Sequence, residues 1–127
     1  MSDPEPMGGV GVDLLEIARL EVALDRHPRL RERIFHRGEL ELADRHRRPA
    51  RQLATRFCAK EAALKALGLG GMRLREVEVV GGGSRPPQIR LHGGAAEAAR
   101  AAGAALSVSL SHEREVAIAV VLASASA

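Results

Sequence analysis

Residues 53–68 read LATRFCAKEAALKALG and predict a helix around which the rest of the chain packs. Alanine and leucine, which are strong helix formers, dominate this stretch, and Gly68 is a typical residue to end it. At about 100° per residue, the helix has one apolar stripe and a second face of small side chains. The stripe comprises Leu53, Phe57, Leu64 and Leu67, and the small face comprises Thr55, Ala59, Ala62, Ala63 and Ala66. A helix with two such faces is buried, so its charged residues need partners.

The charged residues of this helix have two interpretations. Glu61 and Lys65 lie one turn apart, which is the spacing of an ordinary structural ion pair. Alternatively, Glu61 binds a cation and the basic residues bind phosphate groups. Those basic residues are Arg56, Lys60 and Lys65. The spacing alone fits both interpretations.

The composition predicts one small globular domain. The chain has 127 residues, of which 46% are apolar, so we expect a single domain over residues 8–127 after a disordered tail at 1–7. Aromatic residues make up only 2%, which disfavours a stacking platform for single-stranded nucleic acid. We find no membrane-spanning run and no signal peptide. The lone cysteine, Cys58, is expected to be a small buried residue and fits a reducing cytoplasm.

Asp13 also has two interpretations. The alternation of Val10, Gly11, Val12 and Asp13 predicts a short strand that ends near Asp13. Asp13 followed by Glu16 is also the pattern of a capping box at the start of a helix. A structural role as an N-cap therefore competes with a role as a metal ligand.

The remaining pattern predicts an α+β fold, with a small antiparallel sheet packed on the long central helix. Short helices are expected at 29–35, 39–46 and 94–102, and strands at 76–80 and 88–92 around a mobile loop at 81–87. The C-terminal region predicts a hairpin in which Leu106, Val108, Leu110 and His112 share one face. His112 at the end of this strand is either a structural residue or a ligand.

Three motifs together resemble one enzyme family. They are TRFCAKEAALKALG at 55–68, GVDLLEI at 11–17 and VSLSH at 108–112. In this order and spacing they are similar to the holo-acyl-carrier-protein synthases, the small bacterial 4′-phosphopantetheinyl transferases. The resemblance covers almost the whole chain. Thr55, Cys58 and Val116 depart from the residues usual in that family, which are Gly, Ala and Tyr.

This resemblance implies transfer of 4′-phosphopantetheine from coenzyme A to a serine of an apo acyl carrier protein. It implies that Asp13 and Glu61 bind Mg²⁺ and that Lys65 stabilises charge on the phosphates. Glu61, or a water that it orients, is expected to remove the serine proton. The family further implies a homotrimer with active sites between subunits.

The resemblance also assigns residues to the two substrates. Ser111 and His112 are expected to bind the 3′-phosphate side of coenzyme A, with Arg48 and Arg56 as weaker phosphate contacts. A basic surface is needed to dock an acidic carrier protein, and the matching residues are Arg19 and Arg26 on the first helix.

Two other functions stay open at this point. The first is a catalytically silent homologue that binds coenzyme A or a carrier protein. The second is a basic nucleic-acid-binding module. The net charge of +3 and an arginine- and histidine-rich segment at 26–51 favour the second, but we find no recognition element. We therefore expect no nucleic-acid or membrane partner. The choice between a fatty-acid and a polyketide carrier also stays open.

Overall fold

A computed structural model of the chain describes residues 8–71 and 73–126. Within this part, grouped helices and antiparallel strands confirm the predicted α+β class, whereas the tail predicted at 1–7 lies outside it. The elements are β1 (Gly8–Glu16), α1 (Ile17–Arg26), α2 (Leu30–Ile34), α3 (Arg37–Asp44), α4 (Pro49–Ala66), a 3₁₀ turn (Leu74–Glu76), β2 (Val77–Gly82), β3 (Arg85–Leu91), α5 (Gly93–Ala102), β4 (Ala104–Glu113) and β5 (Val116–Ala125). No helix among the described residues has both the length and the apolar character needed to cross a bilayer.

The strands form two antiparallel sheets, one in the order β1–β5–β4 and the other a β2–β3 hairpin. In the larger sheet, Asp13 of β1 pairs with Ala119 of β5, and Ser111 of β4 pairs with Ile118 of β5. Because β5 lies between them, the outer strands β1 and β4 are roughly 10 Å apart. The predicted C-terminal hairpin is confirmed, since half-buried and exposed residues alternate along β4.

Helix α4 packs directly on the larger sheet, through the small face predicted from its sequence. Ala59, Ala62 and Ala63 are fully buried. The strand contributes glycine at the contact points: a Cβ added to Gly11 would overlap the carbonyl oxygen of Ala62, and one added to Gly9 would overlap that of Ala66. The two glycines, Gly9 and Gly11, therefore allow the short distance between β1 and α4.

Lys60 is part of a buried ion pair and not of a phosphate site, which decides between the two interpretations of this residue. Its ammonium donates to Glu39 Oε1 at 2.8 Å and to the Val77 carbonyl, and both charged side chains are 0% exposed. Glu39 also accepts from the backbone N–H groups of Val79 at 2.9 Å and His36 at 2.7 Å. Burial lowers the Lys60 pKa, and the Glu39 carboxylate opposes this effect. The pair links α3, α4 and β2 in the core.

Helix α4 begins at Pro49, before the stretch quoted above, at a position where the sequence also favours proline near a helix start. Two other segments differ from what their sequence patterns suggest. Asp13 lies inside β1 and does not cap α1; the N-cap is Glu16, without a side-chain bond, and the Ile17 N–H instead donates to the Glu115 carbonyl at 2.8 Å. The predicted loop at 81–87 is mostly strand, because β3 is an edge strand on which prolines are tolerated.

Candidate active site

Asp13, Glu61 and Lys65 come together where β1 crosses α4. The Lys65 ammonium donates to Asp13 Oδ1 at 3.2 Å and to the Val12 carbonyl at 3.1 Å. Among the described residues, Lys65 thus pairs with Asp13 and forms no ion pair with Glu61, so the structural i,i+4 interpretation does not apply. The Asp13 carboxyl is 19% exposed, and Lys65 is 54% exposed. The ammonium group therefore sits at the open edge of a half-buried carboxylate site.

The two carboxylates of this cluster influence each other. Burial raises the pKa of Glu61, the negative charge of Asp13 raises it further, and Lys65 lowers it. Two carboxylates and one ammonium leave an excess of negative charge. Carboxylate oxygens are the ligands that Mg²⁺ prefers, so this set of donors fits a small divalent cation.

Cys58 lies beneath the cluster and is not a reactive thiol. Its side chain is fully buried, and burial, with the nearby Asp13 and Glu61 carboxylates, raises its pKa to about 12. The thiolate is the nucleophilic form of cysteine, and it is not populated at such a pKa near neutral pH. The prediction that Cys58 is a buried structural residue is confirmed.

A second cluster lines a cleft of about 400 Å³ between α4, the β2–β3 hairpin and the end of β4. Of the predicted phosphate-binding residues, it brings together Arg56, Ser111 and His112. Gly82 and Arg85 also line it and were missed by the sequence reasoning. The run of glycines followed by serine and arginine at 81–85 was the signal that could have identified them.

Arg56 forms no ion pair with any residue of the described ranges, so its positive charge is available to this cleft. Its guanidinium donates only to neutral oxygens, including the carbonyls of Gln52 and Gly81 at 3.3 Å, and its buried Nε has no partner among the described residues. Burial lowers the Arg56 pKa because the charged form loses hydration. A Cβ on Gly82 would overlap this guanidinium, so glycine allows the hairpin to approach it. The arrangement suits an anion that completes the hydrogen bonds.

The two clusters lie on opposite sides of α4. Arg56 and Lys65 are separated by roughly two and a half helical turns, which places their side chains on opposite faces of the helix. The larger sheet separates the two clusters in the same way, because Asp13 lies on β1 and His112 lies on β4, the two outer strands. One chain therefore carries the two halves of the predicted site, but it does not bring them together.

The other predicted residues lie nearer to α1. Arg48 donates to both carboxylate oxygens of Glu21, at 2.7 and 3.0 Å, and to Glu115 at 2.8 Å. It thereby joins α1 to the β4–β5 turn. Arg19 and Arg26 are exposed on α1 and flank Val22, an apolar side chain that is 49% exposed.

Comparison with known proteins places the chain in a family. Residues 9–121 match the model of the 4′-phosphopantetheinyl transferase superfamily. A holo-[acyl-carrier-protein] synthase from Halorhodospira halophila is 46% identical over 121 residues, which cover 91% of this chain and 96% of that protein.

Solved structures agree with this match. The acyl carrier protein synthase of Mycobacterium tuberculosis has a TM-score of 0.75 at 34% identity, covering 94% of this chain and 99% of that one. The holo-[acyl-carrier-protein] synthase of Helicobacter pylori in complex with coenzyme A has a TM-score of 0.76 at 29% identity, covering 91% and 99%. This chain therefore belongs to the 4′-phosphopantetheinyl transferase superfamily.

Proposed function

We propose that this chain is a holo-acyl-carrier-protein synthase that transfers 4′-phosphopantetheine from coenzyme A to a serine hydroxyl of an apo acyl carrier protein. The serine oxygen forms a bond to the pantetheine-side phosphorus, the pyrophosphate P–O bond breaks, and adenosine 3′,5′-bisphosphate leaves. The observation that carries this proposal is the meeting of Asp13, Glu61 and Lys65 in a chain of this family. The related Helicobacter pylori synthase was solved with coenzyme A.

Asp13 and Glu61 are the residues that would hold Mg²⁺. Bound there, the ion would supply electrostatic stabilisation of the negatively charged pyrophosphate. Lys65 already binds a carboxylate oxygen of Asp13 and is more than half exposed, so its ammonium can move to a phosphate oxygen of the substrate. Glu61, or a water that it orients, accepts the serine proton.

The cleft on the other side of α4 is the proposed site for the 3′-phosphate side of coenzyme A. The unpaired guanidinium of Arg56 supplies the charge, and Ser111 and His112 supply further hydrogen bonds at the end of β4. Arg48 is the less direct candidate, because it must first exchange the carboxylates of Glu21 or Glu115 for phosphate.

A homotrimer with active sites between subunits would explain how two clusters on opposite sides of α4 can act on one substrate. In such an assembly, the carboxylate cluster of one subunit would lie next to the cleft of a neighbour, so that one coenzyme A contacts both. The outer face of the larger sheet supports association, because it exposes large apolar side chains on neighbouring strands. These are Val10 (64% exposed), Val12 (51%), Leu14 (61%), Val120 (37%) and Leu122 (54%).

Helix α1 is the proposed docking face for the acidic carrier protein. Arg19, Val22 and Arg26 share one exposed stripe, which offers positive charge around an apolar contact. A cytoplasmic location is part of this proposal, and it is supported by the use of coenzyme A and by the buried free thiol of Cys58. Fatty-acid biosynthesis is the proposed pathway, with polyketide carriers as the alternative.

Intact-mass spectrometry of an apo acyl carrier protein tests this function. We expect a mass gain of one phosphopantetheine in the presence of coenzyme A and Mg²⁺, and its loss with EDTA or with Glu61→Gln. Glu97→Gln, on an exposed part of α5, is the matched control and should stay active. No gain with fatty-acid and polyketide carriers, while coenzyme A still binds, would instead indicate a silent binding homologue.

A further inference from the structure

Three side chains of metal-binding type meet outside the clusters described above. His36 precedes α3, Glu78 lies on β2 and His92 precedes α5. One ligand atom from each lies within 4.8 Å of the others, and His92 Nε2 is 2.8 Å from Glu78 Oε1. All three side chains are half-buried. The residues come from distant parts of the chain, so the fold itself creates the cluster.

The backbone holds both histidines in place. The His36 N–H donates to Glu39 Oε1 at 2.7 Å, and the His92 N–H donates to the Glu76 carbonyl at 2.8 Å. The two imidazole rings stack with their centroids 4.8 Å apart and an angle of 26° between their planes. Small side-chain rotations are therefore enough to change the distance between their nitrogen atoms.

We propose that His36, Glu78 and His92 form a binding site for a divalent transition-metal ion of the Zn²⁺ type. Two histidines and one glutamate are a common zinc-binding set that leaves the fourth position to water. Tetrahedral Zn²⁺ at about 2.0–2.1 Å from its ligands keeps them roughly 3.3 Å apart, within the range that the cluster spans. Mg²⁺ prefers oxygen ligands, so this site differs in chemistry from the one at Asp13 and Glu61.

Two interactions compete with the metal and limit its affinity. His92 Nε2 is hydrogen-bonded to Glu78 Oε1 at 2.8 Å, and Arg90 Nη1 is 3.8 Å from the same oxygen. His36 Nε2 is 2.6 Å from the Arg75 carbonyl. A metal-bound histidine commonly donates its other N–H to a carbonyl, so this contact can persist while Nδ1 binds the ion.

The ion would join the start of α3, the β2–β3 hairpin and the start of α5. The hairpin also carries Gly82 and Arg85 of the cleft, so metal binding would stabilise the wall of that cleft. Because the ion binds the folded chain, the melting temperature should rise with its concentration.

Titration of the metal-free protein with Co²⁺ and Zn²⁺, in excess Mg²⁺ to fill oxygen-rich sites, tests this inference. We expect one equivalent of Co²⁺ with visible absorption bands of imidazole coordination, displaced by Zn²⁺. His92→Asn and His36→Asn should each weaken binding by more than about 100-fold, which exceeds the loss expected when only a residue that hydrogen-bonds a metal ligand is changed. Asparagine is itself a good N-cap, so both variants keep their helix starts.

Two further variants make the test specific. His46→Asn removes an exposed histidine elsewhere and should bind Co²⁺ like the unmodified chain. Arg90→Gln removes the competing cation and should bind it more tightly. The proposal is overturned if the unmodified chain binds no Co²⁺, or if His92→Asn, folded by circular dichroism, binds it equally well.

Discussion

Mixing two inactive variants tests whether the active site is shared between subunits. Glu61→Gln removes a carboxylate on one side of α4, and Ser111→Ala with His112→Ala removes the proposed phosphate contacts on the other. In a cyclic homotrimer with shared sites, each site takes one half from each of two neighbouring chains. With equal random mixing, each half is intact with a probability of one half, so about one quarter of the sites are complete.

The assay is phosphopantetheine transfer by trimers that contain both variants. The variants carry different tags, are co-expressed or refolded together, and are checked for mixing by native mass spectrometry. We expect about one quarter of the unmodified activity, after subtraction of the activity of each variant alone. Mixed assemblies that are no more active than the two separate variants would refute the shared site and place both halves within one chain.

Three further changes have defined outcomes. Lys60→Met leaves Glu39 as an unpaired charge at 0% exposure, so thermal unfolding should show a loss of about 3–5 kcal/mol. Adding Glu39→Gln removes the charge but keeps side-chain oxygen for the Val79 and His36 N–H groups, so partial recovery would support the pair. A single-variant loss below ~1 kcal/mol would contradict it. The hydrogen bond from Arg48 lowers the pKa of Glu21, so this interaction stabilises the fold above the ordinary glutamate pKa and is lost as the pH falls through the lowered pKa. Arg48→Gln should therefore reduce the free energy of unfolding at pH 7 but not near pH 2. Equal losses at both pH values would be inconsistent with this cause. Arg19→Glu should raise the KM for the carrier protein and leave coenzyme A binding nearly unchanged, whereas weaker coenzyme A binding would exclude the docking role.

The central helix and the C-terminal hairpin could be predicted because their patterns are local. Alanine and leucine at 53–68 favour a helix through their local propensity, and the alternation at 106–112 favours a strand. The burial of α4 followed from the same pattern, because a helix that is apolar on two faces must pack on both.

The partners of charged residues could not be predicted in the same way. Lys60 binds Glu39, and Lys65 binds Asp13, through contacts between distant segments that no local pattern encodes. The role of Asp13 was ambiguous because an aspartate between a strand and a helix can be either a ligand at the strand end or the N-cap of the helix. The hairpin at 77–91 was obscured by its prolines, which normally indicate a loop, because the sequence does not show that β3 is an edge strand.

The close approach of β1 to α4 has a consequence for enzyme engineering. Asp13 follows Gly11 along the strand, and Glu61 precedes Ala62 along the helix, so the same contact that excludes a methyl group also fixes the spacing of the two carboxylates. A larger residue at Gly11 would separate the elements and would impair catalysis even in molecules that still fold. Selection for thermostability alone would therefore retain Gly11 for its packing, and with it the spacing that the two carboxylates need.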